Sequence, residues 1–313
     1  MSTATQLPAA GMSGGGLLNL DAARFAADFD RRPFKITHRL CAHPLLQLPR
    51  LVELARSYDQ PILYFRGDLE VDQAGADGDG PAVKRTFLER NLARPPLSAV
   101  ETVAAIESCN AWLQMRDVGR DPQYAQLLAQ IIEEFRACAE RVAPGLSAPR
   151  ADIFVSSPGA TTPFHLDEEH NFLLQIRGSK DFSIADGFNP AVLDAERLHA
   201  YFRGDGELVR YSRQLEAHSV HVPLHAGEGV HIPPCHPHWV QNGPRVSISL
   251  GILWFSDVTA RRRHLYRVNG WLERLGLSPA APGHSPAADS IKALPLTIKR
   301  GLRRALQLRR ARA

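Results

Sequence analysis

The chain has 313 residues, 44% of them hydrophobic, with 37 Lys and Arg against 33 Asp and Glu; this is the composition of a globular protein with a substantial core. No run of about 18 apolar residues is present, which excludes a membrane-spanning helix, and the opening "MSTATQLPAAGMSGGGLLNLDAARF" lacks the basic and apolar blocks of a secretory leader, so the expected location is cytoplasmic. Cys41, Cys109, Cys138 and Cys235 are scattered without a CxxC pair, which fits neither a disulfide framework nor a zinc ribbon and suggests reduced, mostly buried thiols.

In chain order, residues 1–16 are rich in Gly, Ala and Ser and are expected to be disordered. Asp21 is placed to cap a helix over "AARFAADF", "RRPFKITHRL" reads as a short extended piece, and "HPLLQLPRLVELARSYD" has helical spacing. A Gly- and Asp-rich loop, "GDLEVDQAGADGDGPAVKR", leads to periodic stretches over 97–142, notably "PQYAQLLAQIIEEFRACAERV", that read as helices. Residues 17–149 are therefore expected to form a mixed, mainly helical N-terminal layer. From 150 to 257 the texture changes to short alternating runs, "RADIFVSS", "NFLLQIRG", "DFSIADG", "HSVHVPLHAG", "GVHIPP", "HWVQN" and "RVSISLGILWF", separated by Gly, Pro, Asn or Asp. Such runs predict a sandwich or barrel. Residues 258–276 have the spacing of one more helix, and 277–313 read as a Pro- and Gly-rich linker followed by a basic tail.

That tail accounts for the positive charge. Residues 290–313 hold Lys292, Lys299, Arg300, Arg303, Arg304, Arg309, Arg310 and Arg312 and no acid, so the rest of the chain is net acidic. Ile298, Leu302 and Leu306 recur every four residues, which predicts a helix beginning after Pro295 with one apolar face and basic flanks, suited to an anionic membrane surface. A solvated basic terminus fits the same residues. No helix-turn-helix or zinc-finger pattern is present to read bases, so sequence-specific nucleic-acid binding is not expected. The 258–276 helix is a candidate for homodimerisation or for packing on its own domain.

Two clusters carry potential chemistry. In "TTPFHLDEEHNFLLQIRGSK", residues 161–180, His165 and Asp167 stand one residue apart ahead of an apolar strand. A hairpin turning at Gly178 and Ser179 pairs Arg177 with Lys180 and puts Asn171, Leu173, Gln175, Lys180 and Phe182 on one face. A lysine inside an apolar sheet needs an anion to accept its charge; a lysine on a solvent face fits the pattern equally well. In "GEGVHIPPCHPHWVQN", residues 227–242, a strand ends at Pro233 and Pro234 and the chain presents His236 and His238. Two histidines and a carboxylate can take one face of an octahedral ion and leave the rest open, as in non-haem iron(II) oxygenases. The distance in sequence between His165 and His238 is too long for a finger-like zinc site and suits opposing strands of a barrel. His170, His218, His221, His225 and His231 read as residues of strand faces or loops, and Trp254 and Phe255 as core, with the alternative that an aromatic near the ion walls a substrate pocket.

Residues 162–180 closely resemble the JmjC and cupin-like 2-oxoglutarate oxygenases, of the asparaginyl hydroxylase type that acts on hypoxia-inducible factor. The shared features are the Thr before the His, the His-x-Asp, the Asn, the "QIRGSK" turn and the Lys fifteen residues after the first His. The second cluster shares that family's Gly-acid pair, apolar strand, Pro and a His five residues after the first Pro, which selects His238 over His236. The resemblance covers about residues 150–256. It implies a mainly β protein with flanking helices and a double-stranded β-helix, or jelly-roll, core. It also implies that His165, Asp167 and His238 bind iron(II), that Thr162 and Lys180 hold the distal carboxylate of 2-oxoglutarate, and that Asn171 touches this cosubstrate. The implied reaction is hydroxylation, or N-methyl demethylation, of an unidentified substrate (a protein side chain, a small metabolite, or a lipid or saccharide head group) with dioxygen as the second cosubstrate. One departure stands out: the strand after His238 offers only Ser247, Ser249 and Gly251 where the family has a second cosubstrate-binding Asn. The rival reading is a cupin-like metal-binding or regulatory protein without turnover.

Overall fold

The computed structural model describes residues 15–58, 62–66, 97–203, 211 and 213–296. The Gly- and Asp-rich loop and the tail from 297 onward, with its expected amphipathic helix, lie outside the described residues, as does most of the expected N-terminal disorder.

Among the described residues twelve strands form two sheets, and every pairing is antiparallel. The larger sheet runs β1 (Leu18–Asn19), β2 (Phe34–His38), β10 (Glu228–Ile232), β7 (His170–Arg177), β12 (Ser247–Phe255), β5 (Ser147–Ser156), β4 (Ala111–Met115) and β3 (Ile62–Arg66). The smaller runs β6 (Thr161–His165), β11 (His238–Asn242), β8 (Ser179–Ala185) and β9 (Ser219–His225). Two antiparallel sheets packed face to face are the jelly roll expected from the alternating runs. The N-terminal region is more than a helical layer, because β1 to β4 extend the larger sheet at both edges. "AWLQM" was obscured by the helical spacing around it, yet its own alternation makes it β4.

The central strands β7 and β12 of the larger sheet are buried on both faces, so their side chains divide by parity. Phe172, Leu174 and Ile176 of β7, with Ile248, Leu250, Ile252 and Trp254 of β12, point outward into one core with helices α1 (Ala22–Asp28), α2 (Leu48–Ser57), α3 (Ala99–Ala104) and α4 (Pro122–Val142). Helix α4 meets that face at the i, i+3, i+4 positions its sequence predicts, through Tyr124, Leu127, Leu128, Ile131, Ile132 and Phe135. Asp121 caps it by accepting from the Gln123 and Tyr124 amides. Leu173 of β7 points inward, against Phe182, Ile184, Val222, Leu224, Val230, Ile232 and Val240.

The anticipated β7–β8 hairpin does not form. β7 pairs with β10 and β12, whereas β8 pairs with β11 and β9 in the other sheet. Gly178, at φ +75°, carries the chain from one sheet to the other, and a Cβ there would lie 2.5 Å from the Val246 carbonyl oxygen. Asn171 and Lys180 therefore belong to different sheets.

Helix α5 spans Ala195–Arg203 and α6 spans Asp257–Arg274, with Ser256 capping the latter's first turn. A further helix, α7, occupies 286–296. It begins inside the expected linker because Pro286 suits a first helical position and Ser285 accepts from the Ala288 and Asp289 amides. All four cysteines are free, but only Cys235 is buried; the other three are half-buried.

His170 and His231 are fully buried in the outer core, against Phe29 at ring-centroid distances of 4.8 and 4.6 Å. His38 is also buried, with Nε2 3.0 Å from the Gln175 carbonyl oxygen and Nδ1 accepting from the Leu40 amide. Desolvation holds His38 down at about 4, His170 at about 3, and His231 well below its ordinary value. All three are neutral in the fold at neutral pH and titrate near 6.5 when unfolded. Below that value the unfolded chain binds more protons, so stability is full above pH 6.5 and is lost as pH falls toward 4. We expect the three together to remove on the order of 5 kcal/mol of unfolding free energy between pH 7 and pH 5. Urea melts at the two pH values test this. His231→Phe should remove about a third of the loss, and a pH-independent midpoint would contradict the assignment.

Candidate metal centre and cosubstrate cavity

β6 and β11 are adjacent strands of the smaller sheet, and their register sets His165 directly against His238. The two histidines are thus cross-strand neighbours, which replaces the expectation of opposing strands. Antiparallel partners share a face, and the rings approach to a centroid distance of 4.2 Å. Asp167 lies two residues beyond β6, in a loop tied down where the Cys235 amide donates to the Asp167 carbonyl at 2.6 Å. Its Oδ2 is 4.0 Å from His238 Nε2, and one donor atom from each of His165, Asp167 and His238 lies within 4.8 Å of the others.

His238 is buried, and its Nδ1 is 2.9 Å from the His236 carbonyl oxygen. With its proton on Nδ1, His238 donates there and keeps the Nε2 lone pair free to ligate an ion on the side of Asp167. Burial, and next the neighbouring His165, hold His238 down at about 4, so its ring is neutral at physiological pH. Two imidazoles and a carboxylate converging on one point fit a divalent first-row ion such as iron(II). His236, by contrast, turns away: its Nε2 is 3.7 Å from Asp186, and its ring stands edge-on to Phe188 at 5.1 Å.

The three residues open into a cavity of about 570 Å³ between the sheets, which Thr162, Asn171 and Lys180 also line. Thr162 is on β6 opposite Val240, Lys180 is on β8 between Asn242 and Leu224, and Asn171 faces them from β7. Lys180 is only 3% exposed, and no carboxylate among the described residues pairs with it. Its ammonium lies 5.7 Å from the Phe154 ring centroid, and desolvation pushes its pKa down to about 7. The Asn171 Oδ1 is likewise buried without a hydrogen-bond partner. Such costs are retained where a ligand offsets them. A buried ammonium without a carboxylate partner and an open amide beside a metal-type triad fit a small carboxylate that also reaches the ion.

Ser247 and Ser249 do not substitute for the missing Asn. They lie on the inner face beyond the cavity, where Gln175 donates to Ser247 at 2.9 Å and accepts from Ser249 at 2.7 Å. Gly251 leaves room for Phe154, whose ring would sit 3.0 Å from an added Cβ. Trp254 is core as expected, whereas Phe255 lines the cavity with the Arg263 guanidinium 4.8 Å from its ring centroid.

The opposite wall escaped the sequence reading. It comes from Trp112, Gln114 and Arg116 in and after β4 and from Arg150, Asp152 and Phe154 of β5. The signal was present as alternation, since each set occupies every second position. Asp152, fully buried, accepts from Gln114 Nε2 at 2.9 Å and the Asp117 amide at 2.9 Å and pairs with Arg150, which also binds Glu169.

Among solved structures, the chain is similar to the X-ray structure of Escherichia coli ycfD, at 16% identity and a TM-score of 0.49, over 86% of this chain and 62% of that one. It is also similar to a structure of YcfD, a ribosomal oxygenase from Escherichia coli, in complex with cobalt and 2-oxoglutarate, at 15% identity and a TM-score of 0.45, over 90% of this chain and 67% of that one. The chain thus spans less than two thirds of the first of these structures. No curated protein matches it in sequence. The model of the cupin-like domain matches residues 85–260, and because that match takes in more than half of the chain, the protein belongs to the cupin-like domain family.

Proposed function

We propose that the protein is an iron(II)- and 2-oxoglutarate-dependent oxygenase. The observation that carries this reading is the buried, unpaired Lys180 in the same cavity as the His165, Asp167 and His238 donors. A pure metal store has no use for a buried cation beside its ion. In this reading the three donors hold the iron, and Lys180 and Thr162 take the far carboxylate of 2-oxoglutarate. Asn171 bonds the cosubstrate from the facing sheet. Bound there, the iron supplies oxidation by dioxygen, coupled to conversion of 2-oxoglutarate to succinate and carbon dioxide.

The chain's own residues do the rest. His238 keeps its lone pair for the metal through the His236 carbonyl, and Leu173, Phe182, Ile232 and Val240 keep water from the cosubstrate. The prime substrate enters between Trp112, Gln114, Arg116, Arg150, Glu168 and Arg263. It is hydroxylated there, or demethylated when the oxidised carbon is an N-methyl group. A likeness to the asparaginyl hydroxylase type in the 162–180 motif supports the cosubstrate assignment. No described helix is long and apolar enough to cross a membrane, and the eight bases of residues 290–313 would hold the protein peripherally on an anionic surface.

Calorimetry under anaerobic conditions should show 2-oxoglutarate binding only when iron(II) is present. In air, without prime substrate, slow succinate formation should follow. Metal binding with no succinate under any condition would make the protein a non-catalytic binder and overturn the enzymatic reading.

A further inference from the structure

Five of the seven exposed large apolar side chains of the described residues cluster at the C-terminal end of the fold; the other two are Phe188 and Val258. Trp271 (58% exposed), Leu275 (59%), Leu277 (55%), Ile291 (68%) and Leu294 (54%) belong to α6, α7 and the turn between them. They are not scattered within those elements. On α6, Arg267, Trp271 and Arg274 fall at i, i+4 and i+7, and Leu275 caps the helix end beside them; all four are exposed, so indole and leucine alternate with guanidinium there. On α7, Ile291 and Leu294 point away from the body while Ala293 packs inward, and the Lys292 carbonyl lies 2.9 Å from His264 Nε2 on α6. In the sequence Ile298 and Leu302 continue the spacing of Ile291 and Leu294.

The charges around this surface have one sign. Arg267 and Arg274 flank Trp271, and Lys292 flanks Ile291. The two acids nearest these side chains are engaged within the fold, where Glu273 binds His199 and Arg203 and Asp289 accepts from the Gly283 amide, and Lys292 donates to the Ala280 carbonyl at 3.0 Å. We propose that the exposed faces of α6 and α7 dock on an anionic lipid bilayer, with Trp271, Leu275, Leu277, Ile291 and Leu294 entering the interfacial layer and the surrounding bases meeting the head groups. This rests on the reading of the C-terminal segment as a peripheral anchor and adds to it the folded surface that makes apolar contact. A second copy of the chain would set these cations against each other, at a Coulombic cost. Nucleic acid would satisfy the bases but leave the aliphatic side chains and most of the indole without apolar cover. A bilayer with acidic head groups satisfies both, and tryptophan favours that boundary.

The orientation has a mechanical corollary. Arg263, at the mouth of the cavity, and Trp271 stand on the same helix, eight residues apart, or about 12 Å along its axis. Docking through α6 therefore fixes the mouth close to the membrane.

The test is sedimentation of the full chain with vesicles of phosphatidylcholine containing a minority of phosphatidylserine, and with phosphatidylcholine alone. Trp271 is the exposed one of the four tryptophans, so its quenching by brominated lipid reports insertion directly. The unmodified chain should bind the acidic vesicles, lose them in high salt and show quenching. Trp271→Ser with Leu275→Ser, and separately Ile291→Ser with Leu294→Ser, replace side chains more than half exposed and so leave the fold intact. Each pair should weaken binding at least about tenfold while the dependence on salt persists. If these variants bind as the unmodified chain does, and Arg303→Gln with Arg304→Gln, Arg309→Gln and Arg310→Gln releases the protein, the basic anchor stands and the helical surface is refuted. If the unmodified chain ignores acidic vesicles, both fail. A dimer that dissociates on Trp271→Ser, without vesicle binding, would assign the surface to a second copy; RNA that displaces vesicles and binds independently of Trp271 would assign the segment to nucleic acid. Either result overturns the proposal.

Discussion

Asp167→Ala, His165→Ala and His238→Ala are each expected to bring iron-dependent succinate formation down by more than about a hundredfold, since even the outer partners of metal ligands are worth ten- to a hundredfold. His236→Ala should keep most of the activity, because its ring faces Asp186 and Phe188 rather than the other two donors. What links His236 to the centre is its backbone carbonyl, which the substitution leaves in place to orient His238. Circular dichroism and the metal content of the purified variants separate loss of the ion from loss of the fold. Equal inactivation of folded His236 and His238 variants would remove the basis for choosing between them.

Lys180→Met is expected to move stability and cosubstrate binding in opposite directions. In the free protein the buried ammonium has no anionic partner among the described residues, and its pKa is pushed down to about 7 against 10.5 for an ordinary lysine. Between those values the unfolded chain binds the extra proton, so stability rises with pH across the interval and is lower at and below pH 7. Methionine removes that penalty at similar size, and the apo protein should gain on the order of 2 kcal/mol at pH 7. The same change removes a charge-assisted contact worth about 1.5 to 3 kcal/mol, so 2-oxoglutarate should bind roughly ten- to a hundredfold more weakly while iron affinity holds. Since the anion favours the charged lysine, binding to the unmodified protein takes up a proton above pH 7. Its apparent affinity should then fall by up to about tenfold per pH unit. Calorimetry in buffers of different ionisation enthalpy measures that proton directly. Unchanged cosubstrate affinity in the methionine variant would place the carboxylate elsewhere.

Seven strands of the jelly roll were legible as short runs ended by turn residues; "HWVQN" became β11 and "RVSISLGILWF" β12 with little change in bounds, but β6, which carries Thr162 and His165, was not among those runs. The metal-type donors were legible because His165 and Asp167 are nearly adjacent and a proline pair announces His238. Which strands lie side by side was not legible. Pairing depends on where the chain changes sheet, and one glycine at 178 decides that for β7 and β8 through a backbone angle no hydrophobic pattern encodes. The substrate wall was hidden for a related reason. Trp112 and Gln114 sit in a five-residue strand between helices, too short for its period to stand out until β5 pairs with it.

The change of sheet at Gly178 also divides labour. Thr162, His165, Asp167, Lys180 and His238 all ride on the smaller sheet or the loop leaving it, while Trp112, Gln114, Arg150 and Asp152 ride on the larger, which also brings Asn171 to the cavity from β7. Under the proposed function, substitutions at Trp112 and Gln114 of β4 would reshape this wall while His165, Asp167, His238, Thr162 and Lys180 stay where they are, whereas Arg150 of β5 is tied through Glu169 to the loop that carries Asp167. If the proposed function holds, a designer seeking a new specificity should build the first library in β4.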